Sequence, residues 1–152
     1  GGKTMIAIGA DHGGYQLKEK IKKYLEEKQI SYEDFGTYNE ERTDYPIYAK
    51  KVAEAMQSKV ADKGILICRS GYGMTVTANK FKGIRAASVT SADLAKAAKA
   101  DDDINLITLS GDNMSIEEAI KIIESWLETK FKGGRYQERL EMLEQIESEN
   151  MK

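Results

Sequence analysis

The 152-residue sequence lacks the features that mark several large classes of protein. Its one cysteine cannot close a disulfide bond within the chain, which excludes a small secreted fold held together by disulfides. Its longest aliphatic stretches, such as residues 65–68, are far shorter than the roughly 20 residues that span a bilayer. The chain also has one histidine and one proline. We therefore exclude a disulfide scaffold and a membrane-embedded protein.

Strong charge of one sign is absent too, because 25 acidic side chains stand against 23 basic ones for a net charge of −2. Without a basic surface, neither a nucleic acid nor an anionic membrane is an expected partner. The length and the 41% hydrophobic content suit one domain with a sizeable core. We predict a single domain over residues 1–152 in the cytoplasm, with residues 1–2 as a cloning remnant.

Short apolar runs alternate with amphipathic helices along the chain. Five runs are typical of strands and lie at 5–9, 30–35, 64–68, 84–89 and 104–109. Between them, Leu17, Ile21 and Leu25 have helical spacing, and Ser115 with Glu118 forms a capping box. This alternation predicts parallel βαβ units and hence an α/β fold, a doubly wound five-stranded parallel sheet in a Rossmann-like three-layer sandwich.

The last helix, predicted over 135–149, differs from the others because it is highly charged and follows a Gly-Gly pair. Its narrow apolar seam consists of Tyr136, Leu140, Leu143 and Ile146. Such a seam is too narrow for a core helix and suits the surface of a partner. We predict that residues 133–152 form the arm of a dimer.

Ligands of open parallel sheets bind at the carboxyl ends of the strands, so the loops there are the first candidates for a site. After the first strand, Asp11 and His12 stand among glycines that allow a ligand to approach closely. These two side chains can orient a hydroxyl or hold a phosphate. The alternative is that Asp11 caps the next helix and His12 is an ordinary surface residue.

The loop after the third strand starts at the single cysteine and leads into a helix. Its residues are Cys68, Arg69, Ser70, Gly71, Tyr72 and Gly73. The N–H groups at a helix start favour anions and Arg69 favours the thiolate, so this pattern is typical of a reactive thiol. The same amides can stabilise an oxyanion or enediolate beside the sulfur. The alternative is an inert, buried side chain.

Two charged groups lie further along the chain. The three aspartates at 101–103 end a predicted helix, where acidic residues oppose the helix dipole. They have two interpretations: they bind a metal or polarise a substrate, or they form a solvated acidic turn. Arg135 and Arg139 are one helical turn apart and can bind a phosphate together. The alternative is that these arginines form surface ion pairs with Glu138 and Glu141.

Six short motifs stand in the order and spacing of one known family. They are Gly9-Ala10-Asp11-His12-Gly13-Gly14, Glu41-Arg42-Thr43-Asp44-Tyr45-Pro46, Gly64-Ile65-Leu66-Ile67-Cys68-x-Ser-Gly-x-Gly, Ala78-Asn79-Lys80, Gly83-Ile84-Arg85-Ala86 and Gly133-Gly134-Arg135-Tyr136-Gln137-x-Arg139. From about Lys3 to Ile146 the chain resembles the ribose-5-phosphate isomerase B family, whose wider membership includes both subunits of galactose-6-phosphate isomerase.

The resemblance implies an aldose–ketose isomerase that acts on a phosphorylated sugar through a cis-enediol, without a metal or another cofactor. Cys68 matches the general base that moves the proton between C1 and C2, and residues 69–73 match the loop whose amides support the enediolate. The resemblance also implies a homodimer or homotetramer whose active sites combine residues of two subunits. A hetero-oligomer with a paralogous chain is the alternative.

Further positions match family residues that contact the substrate. Asp11 and His12 correspond to residues that contact the sugar and its phosphate, and Arg135 and Arg139 correspond to arginines that bind the phosphate. A non-catalytic sugar-phosphate-binding homologue is a further alternative, because the sequence departs from the family pattern at some substrate positions.

Asp101, Asp102 and Asp103 stand where the family has His-Asn-Asp, whose histidine assists ring opening. Asp112 replaces a phosphate-binding arginine, and Arg69 replaces a glycine. Since a carboxylate can carry a proton, we expect Asp101 to be catalytic. Asp102 and Asp112 lie at the substrate end and should repel a phosphate, while Arg69 supplies a positive charge. We therefore expect ribose 5-phosphate to bind weakly.

Overall fold

The structure is a computed structural model that describes residues 4–151. The cloning remnant that the sequence predicts at residues 1–2 lies outside the described residues. Within them, strands and helices alternate in the order β1 Met5–Ala10, α1 Tyr15–Glu27, β2 Ser31–Asp34, α2 Tyr45–Gln57, β3 Lys63–Cys68, α3 Tyr72–Ala78, β4 Ala86–Ser88, α4 Ala92–Asp102, β5 Leu106–Ser110, α5 Ile116–Glu128 and α6 Arg135–Asn150. The predicted α/β fold is confirmed.

All strand pairs are parallel, and the strand order is β2-β1-β3-β5-β4. The chain moves outward from β1 to β2 on one side and from β3 to β4 on the other, and it then returns to insert β5. Right-handed crossovers place α1, α4 and α5 on one face of the sheet and α2 and α3 on the other. Because the strands are parallel, every strand-to-helix loop emerges at one end of the sheet, the carboxyl end.

Each face of the sheet has its own hydrophobic core. On one face, Trp126 of α5 is fully buried and its Nε1 donates to the Ile104 carbonyl oxygen at 2.8 Å, so its polar atom is satisfied. On the other face, Met56 and Met74 pack against the buried side of β3. Truncating a buried tryptophan to alanine typically costs about 3–5 kcal/mol. The core on the first face therefore depends strongly on α5.

Two strands differ from their predicted bounds because helix ends and side-chain caps occupy the neighbouring residues. The predicted strand 104–109 begins only at Leu106, since Asp103 has a φ of +46° and ends α4 in the left-handed conformation. The predicted strand 84–89 shortens to Ala86–Ser88, and the amide of Arg85 donates to the Asn105 side chain at 2.8 Å. Side chains therefore replace ladder hydrogen bonds at the amino end of the sheet.

Helix α6 lies at the amino end of the sheet, where the Gly83 amide donates to Glu147 Oε2 at 2.7 Å. Leu140 is the member of the predicted seam that is buried, whereas Leu143 and Ile146 are 45% and 53% exposed. Met142 beside them is exposed as well. The outer face of α6 thus presents apolar side chains without a cover among residues 4–151. The dimer arm stays a prediction.

The helices between residues 4 and 151 include none with the length and apolar character needed to cross a bilayer.

Candidate active site

Three loops meet at the carboxyl end of the sheet, following β1, β3 and β5. A side chain at Gly14 would collide with the Ile67 carbonyl oxygen, and one at Gly111 would collide with that of Gly13. The Gly111 amide also donates to the Cys68 carbonyl oxygen at 2.8 Å. The loops therefore pack backbone against backbone, which fixes the positions of the predicted site residues that they carry.

Cys68 is the last residue of β3 and is 4% exposed. Its Sγ accepts a hydrogen bond from the Gly71 amide at 3.1 Å. This contact requires the chain to turn back sharply, and Gly71 has a φ of +90°, which side chains with a Cβ rarely adopt. The loop predicted after this strand is therefore present, with a backbone N–H directed at the sulfur.

The first amides of α3 continue this arrangement. The Tyr72 amide donates to Ser70 Oγ at 3.2 Å, and the helix start has no side-chain cap. The Gly73 and Met74 amides have no hydrogen-bond partner among residues 4–151. The Tyr45 ring lies against Gly73, where a Cβ would stand 2.7 Å from it. Two unpaired donors and an aromatic ring therefore stand along the loop that follows the cysteine. The motif that contains Tyr45 did not predict this position of its ring.

Arg69 turns away from the cysteine. Its side chain lies over Gly13, where any Cβ would collide with it, and its Nη1 is 3.2 Å from Asp112 Oδ1. The two side chains are 62% and 47% exposed, so water surrounds this ion pair. The guanidinium that we expected to favour the Cys68 thiolate is therefore shared with Asp112. Arg69 and Asp112, the two residues at this end of the sheet that depart from the family pattern, therefore contact each other.

Asp11 is buried and holds its own loop in shape. Its Oδ1 accepts from the Gly13 amide at 2.9 Å and from the Gly14 amide at 3.2 Å. These bonds form an Asx turn ahead of α1, whose N-cap is Gly14 without a side-chain cap. The helix-capping alternative for Asp11 is thus wrong in detail, although the residue does order the start of the helix.

His12 is half-buried, and its ring is anchored on one side. Nδ1 lies 3.1 Å from the Thr43 carbonyl oxygen and 3.2 Å from the Thr43 amide nitrogen, and Thr43 Oγ1 lies 2.8 Å from Tyr48 Oη. Either neutral tautomer can therefore be held. Nε2 makes no hydrogen bond within the described chain, which leaves it available to a ligand.

The space between these loops is a polar cavity of about 330 Å³. Its polar lining comes from His12, Gln16, Glu40, Arg69 and Asp112. A hydrogen bond of 2.5 Å from Gln16 to Glu40 ties the segment after β2 to α1 at the cavity rim. Another hollow of about 450 Å³ opens at the amino end, and its lining includes none of the predicted site residues.

Asp101, Arg135 and Arg139 lie at the other end of the sheet. Helix α4 runs back from the carboxyl end, so it delivers Asp101 close to the start of β5. The six residues of β3 separate the two ends by roughly 17 Å at about 3.3 Å per residue. Within one chain, the structure therefore does not bring Asp101 or the two arginines to Cys68.

These residues at the amino end form a group of their own. Asp101 Oδ1 is 2.7 Å from Lys132 Nζ, and the Lys132 amide donates to the Ala100 carbonyl oxygen at 2.9 Å. Three cations lie over the Tyr136 ring: Lys132 Nζ at 4.8 Å, Arg135 Cζ at 5.3 Å and Arg139 Cζ at 5.2 Å from its centroid.

The charges of this group perturb one another. A hydrogen bond from Arg135, followed by the charge of Lys132, lowers the pKa of Tyr136 below its usual value. The close contact with the Asp101 carboxylate raises the pKa of Lys132. Neither arginine forms an ion pair with Glu138 or Glu141 in the described chain, so that alternative is not observed. No local signal distinguished Lys132 from other surface lysines, and we had assigned Tyr136 only to the apolar seam.

The remaining aspartates have different surroundings. Asp103 ends α4, and Arg85 Nε donates to its carbonyl oxygen at 2.9 Å while Nη2 lies 3.4 Å from its carboxylate. Asp103 is therefore structural. Asp102 is exposed. Across residues 4–151, no three histidine, cysteine or acidic side chains are grouped in a way that could hold a metal ion.

Comparisons with known proteins find similar sequences and structures over most of the chain. The model of the Ribose/Galactose Isomerase family matches residues 6–143. Ribose-5-phosphate isomerase B of Escherichia coli is 40% identical over 142 residues, which cover 93% of this chain and 95% of that protein. The protein from Listeria innocua named ribose-5-P isomerase B is 39% identical over 145 residues, or 95% of this chain and 98% of its own.

Solved structures match over nearly the whole chain as well. A ribose 5-phosphate isomerase from Thermotoga maritima has a TM-score of 0.91 and 44% identity, covering 93% of this chain and 98% of that one. Ribose-5-phosphate isomerase B from Mycoplasma genitalium, solved with bound ribulose-5-phosphate, has a TM-score of 0.92 and 38% identity, covering 97% and 98%.

Proposed function

Because this chain belongs to the ribose/galactose isomerase family, it is an aldose–ketose isomerase of phosphorylated sugars, and we propose that it interconverts ribose 5-phosphate and ribulose 5-phosphate. Relatives named ribose-5-phosphate isomerase B support this substrate pair. They do not favour a subunit of a galactose-6-phosphate-type isomerase or a non-catalytic sugar-phosphate-binding homologue. As a metabolic enzyme, the protein is expected in the cytoplasm.

The active site combines two copies of the chain. The thiol loop lies at the carboxyl end of the sheet, whereas Asp101 and the arginines lie at the amino end, so a complete site needs the amino end of one copy against the carboxyl end of another. The exposed apolar side chains of Leu143 and Ile146 support such an association, because burying them removes apolar surface from water. A homodimer is the smallest assembly that satisfies this requirement, and a homotetramer or a hetero-oligomer with a paralogue would satisfy it as well.

Substrate binding uses charge from both copies. Arg135 and Arg139 of one copy bind the phosphate, since paired guanidinium groups suit its geometry. Arg69 of the other copy adds a third guanidinium from the cavity side. Asp11 keeps its loop closed with one carboxylate oxygen, and His12 offers its free Nε2 to a hydroxyl or phosphate oxygen.

Ring opening requires a proton to move from the C1 hydroxyl to the ring oxygen while the bond between C1 and the ring oxygen breaks. We assign this proton transfer to the carboxylate of Asp101. Its ion pair with Lys132 holds the side chain in place. The product of this step is the open-chain aldose with a C1 aldehyde.

Isomerisation follows at the thiol. The Cys68 thiolate takes the proton from C2, the C–H electron pair forms the C1–C2 double bond, and the aldehyde oxygen becomes the negatively charged oxygen of a cis-enediolate. The proton of the C2 hydroxyl then moves to this oxygen. The sulfur returns its proton to C1 as the C2–O double bond forms, which yields the ketose and restores the thiolate. The unpaired amides of Gly73 and Met74 stabilise the charged oxygen.

One observation carries this mechanism: the Gly71 amide donates to the Cys68 sulfur at the end of a buried strand. The test follows ketose formation by the purified protein with a panel of aldose phosphates, for the wild type and for Cys68→Ala. Loss of the base should lower turnover by about 10²–10⁴-fold, while circular dichroism stays unchanged.

Wild-type turnover in Cys68→Ala would refute the assignment of the base. Turnover of a hexose phosphate but not of ribose 5-phosphate would refute the substrate while keeping the reaction. Cys68→Ser serves as the matched variant, because it keeps the size of the side chain and replaces the thiol by a much weaker acid.

A further inference from the structure

Three exposed cations converge on one aromatic ring at the start of α6. Lys132, Arg135 and Arg139 all lie within 5.3 Å of the centroid of Tyr136. Like charges this close repel one another, so their convergence requires a compensating attraction. The negative face of the tyrosine ring supplies one, and the carboxylate of Asp101, 2.7 Å from Lys132, supplies another.

We propose that Tyr136 is a positioning residue that gathers Lys132, Arg135 and Arg139 into one basic cluster, and that Lys132 is a further cation for the phosphate of the substrate, beside Arg135, Arg139 and the other copy's Arg69. This inference rests on the proposed function and assigns the phosphate end of its site. The three cations and Asp101 sum to a charge of +2, which matches a phosphate monoester, whose charge near neutral pH is close to −2.

The backbone before α6 is shaped for this convergence. Lys132 is tied to α4 through its amide, which donates to the Ala100 carbonyl oxygen at 2.9 Å. Gly133 and Gly134 then have φ angles of +70° and +56°, so the chain reverses within two residues. This reversal returns the Lys132 side chain to the ring of Tyr136, although the lysine precedes the helix.

The ring of Tyr136, rather than its hydroxyl, makes the decisive contact. Arg135 Nη2 donates a long hydrogen bond of 3.4 Å to Tyr136 Oη, which holds one of the cations, whereas all three cations lie near the ring. Arg139 is three residues beyond Tyr136, the spacing at which helical side chains meet. A phenylalanine should therefore keep the cluster, and a leucine of similar bulk should release it.

The experiment compares Tyr136→Leu, Tyr136→Phe and Lys132→Met with Lys130→Met. Lys130 is the matched control, because it is an exposed lysine of the same loop and contacts neither Tyr136 nor Asp101 in the described structure. The readouts are kcat and KM for ribose 5-phosphate, and the inhibition constant of inorganic phosphate. Dissociation constants for inorganic phosphate from calorimetry give a readout that needs no turnover.

Tyr136→Leu and Lys132→Met should raise KM and both phosphate constants about tenfold, the loss expected for one charged contact. Turnover (kcat) should change less than about twofold in Tyr136→Leu, whereas it should also fall in Lys132→Met, which removes the ion pair that holds Asp101. Tyr136→Phe and Lys130→Met should match the wild type. A wild-type phosphate constant in Tyr136→Leu, or equal losses in the Phe and Leu variants, overturns the role of the ring. A wild-type constant in Lys132→Met removes the lysine from the cluster.

Failure of the proposed function is visible separately. A wild-type protein that binds inorganic phosphate but turns over no aldose phosphate would refute the isomerase substrate, while the calorimetric comparison of the four variants still decides the role of Tyr136. Because Tyr136 and Lys132 lie outside both hydrophobic cores, their variants should keep the wild-type melting temperature.

Discussion

The ion pair between Arg69 and Asp112 provides a direct test of how the carboxyl end of the site receives a phosphate. Asp112→Asn keeps the shape of the side chain and removes its charge. In the wild type, the carboxylate lies 3.2 Å from the guanidinium and competes with a phosphate for it. We therefore expect the substitution to lower KM for ribose 5-phosphate.

The expected size of the change in KM follows from how exposed the two side chains of the ion pair are. Since the two side chains are 62% and 47% exposed, their pairing contributes about 0.2–1 kcal/mol, and its loss frees Arg69 by up to about fivefold in affinity. Removing one negative charge near a phosphate in a water-like medium adds a gain of similar size at about 4 Å. The two contributions together amount to about 1–2 kcal/mol, so KM should fall by roughly five- to thirtyfold, while the free energy of unfolding changes by less than about 1 kcal/mol.

Steady-state kinetics at low and high salt measure this effect, and the decrease in KM should shrink as salt screens the charges. The matched background is Arg69→Gln, in which Asp112→Asn should lose about half of its benefit, because the guanidinium contribution is gone and only the removal of the Asp112 charge remains. An unchanged KM in Asp112→Asn would refute the competition. An equal effect in both backgrounds would show that Arg69 does not bind the phosphate.

Further predictions concern stability and assembly. Asp34→Ala should cost about 3 kcal/mol by chemical denaturation, because the fully buried Lys18, whose Nζ lies 2.6 Å from Asp34, keeps only the partly exposed Glu19 as a partner. Lys18→Met should cost less, since it removes the buried charge itself. Burial raises the pKa of Asp34, but hydrogen bonds from Lys18 and Lys22 outweigh this effect and lower the pKa below its usual value of 3.8. The contribution of Asp34 to the free energy of unfolding is therefore complete above about pH 3.8 and declines as the pH falls further. Urea titrations at a series of pH values measure this decline. Light scattering should detect an assembly larger than one chain, and Leu143→Glu with Ile146→Glu should shift it toward a monomer with little loss of folding.

Features that depend on neighbours in sequence were predictable. The apolar run that ends at Cys68, followed by alternate glycines, predicts a strand and a tight loop, and the structure has both. The capping box at Ser115 is present in the structure for the same reason, since its partners are three residues apart. Such local patterns constrain the backbone directly, because few conformations satisfy their hydrogen bonds.

Features that depend on distant segments were not predictable from one sequence. Lys18 belongs to a helix whose polar positions would normally face water, yet Asp34 and Glu19 hold its ammonium group in a buried network. The insertion of β5 between β3 and β4 likewise follows from packing of the whole sheet and not from its own residues. Such features are decided by contacts between residues that are distant in sequence, and the spacing of apolar residues along the chain does not indicate which distant residues will meet.

The acidic departures from the family pattern acquire a different meaning in the structure. Our expectation of weak phosphate binding assumed that these aspartates act as isolated negative charges. Two of them have cationic partners that sequence order could not indicate: Asp112 pairs with Arg69, 43 positions away, and Asp101 pairs with Lys132. Each pair is neutral, so repulsion is left chiefly to the exposed Asp102.

Because those pairs are neutral, Arg135 and Arg139 set the charge at the amino end of the sheet, and their two positive charges exceed the single negative charge of the unpaired Asp102 carboxylate. Electrostatics alone therefore give no reason for a phosphate to be rejected there. The aspartates instead act on the cations that surround them: Asp112 holds Arg69 over the first loop, and Asp101 holds Lys132 beside Tyr136. Affinity for a phosphate then depends on how readily Arg69 and Lys132 exchange their aspartate partners for the phosphate. Substituting the aspartates should strengthen phosphate binding, and substituting the cations should weaken it.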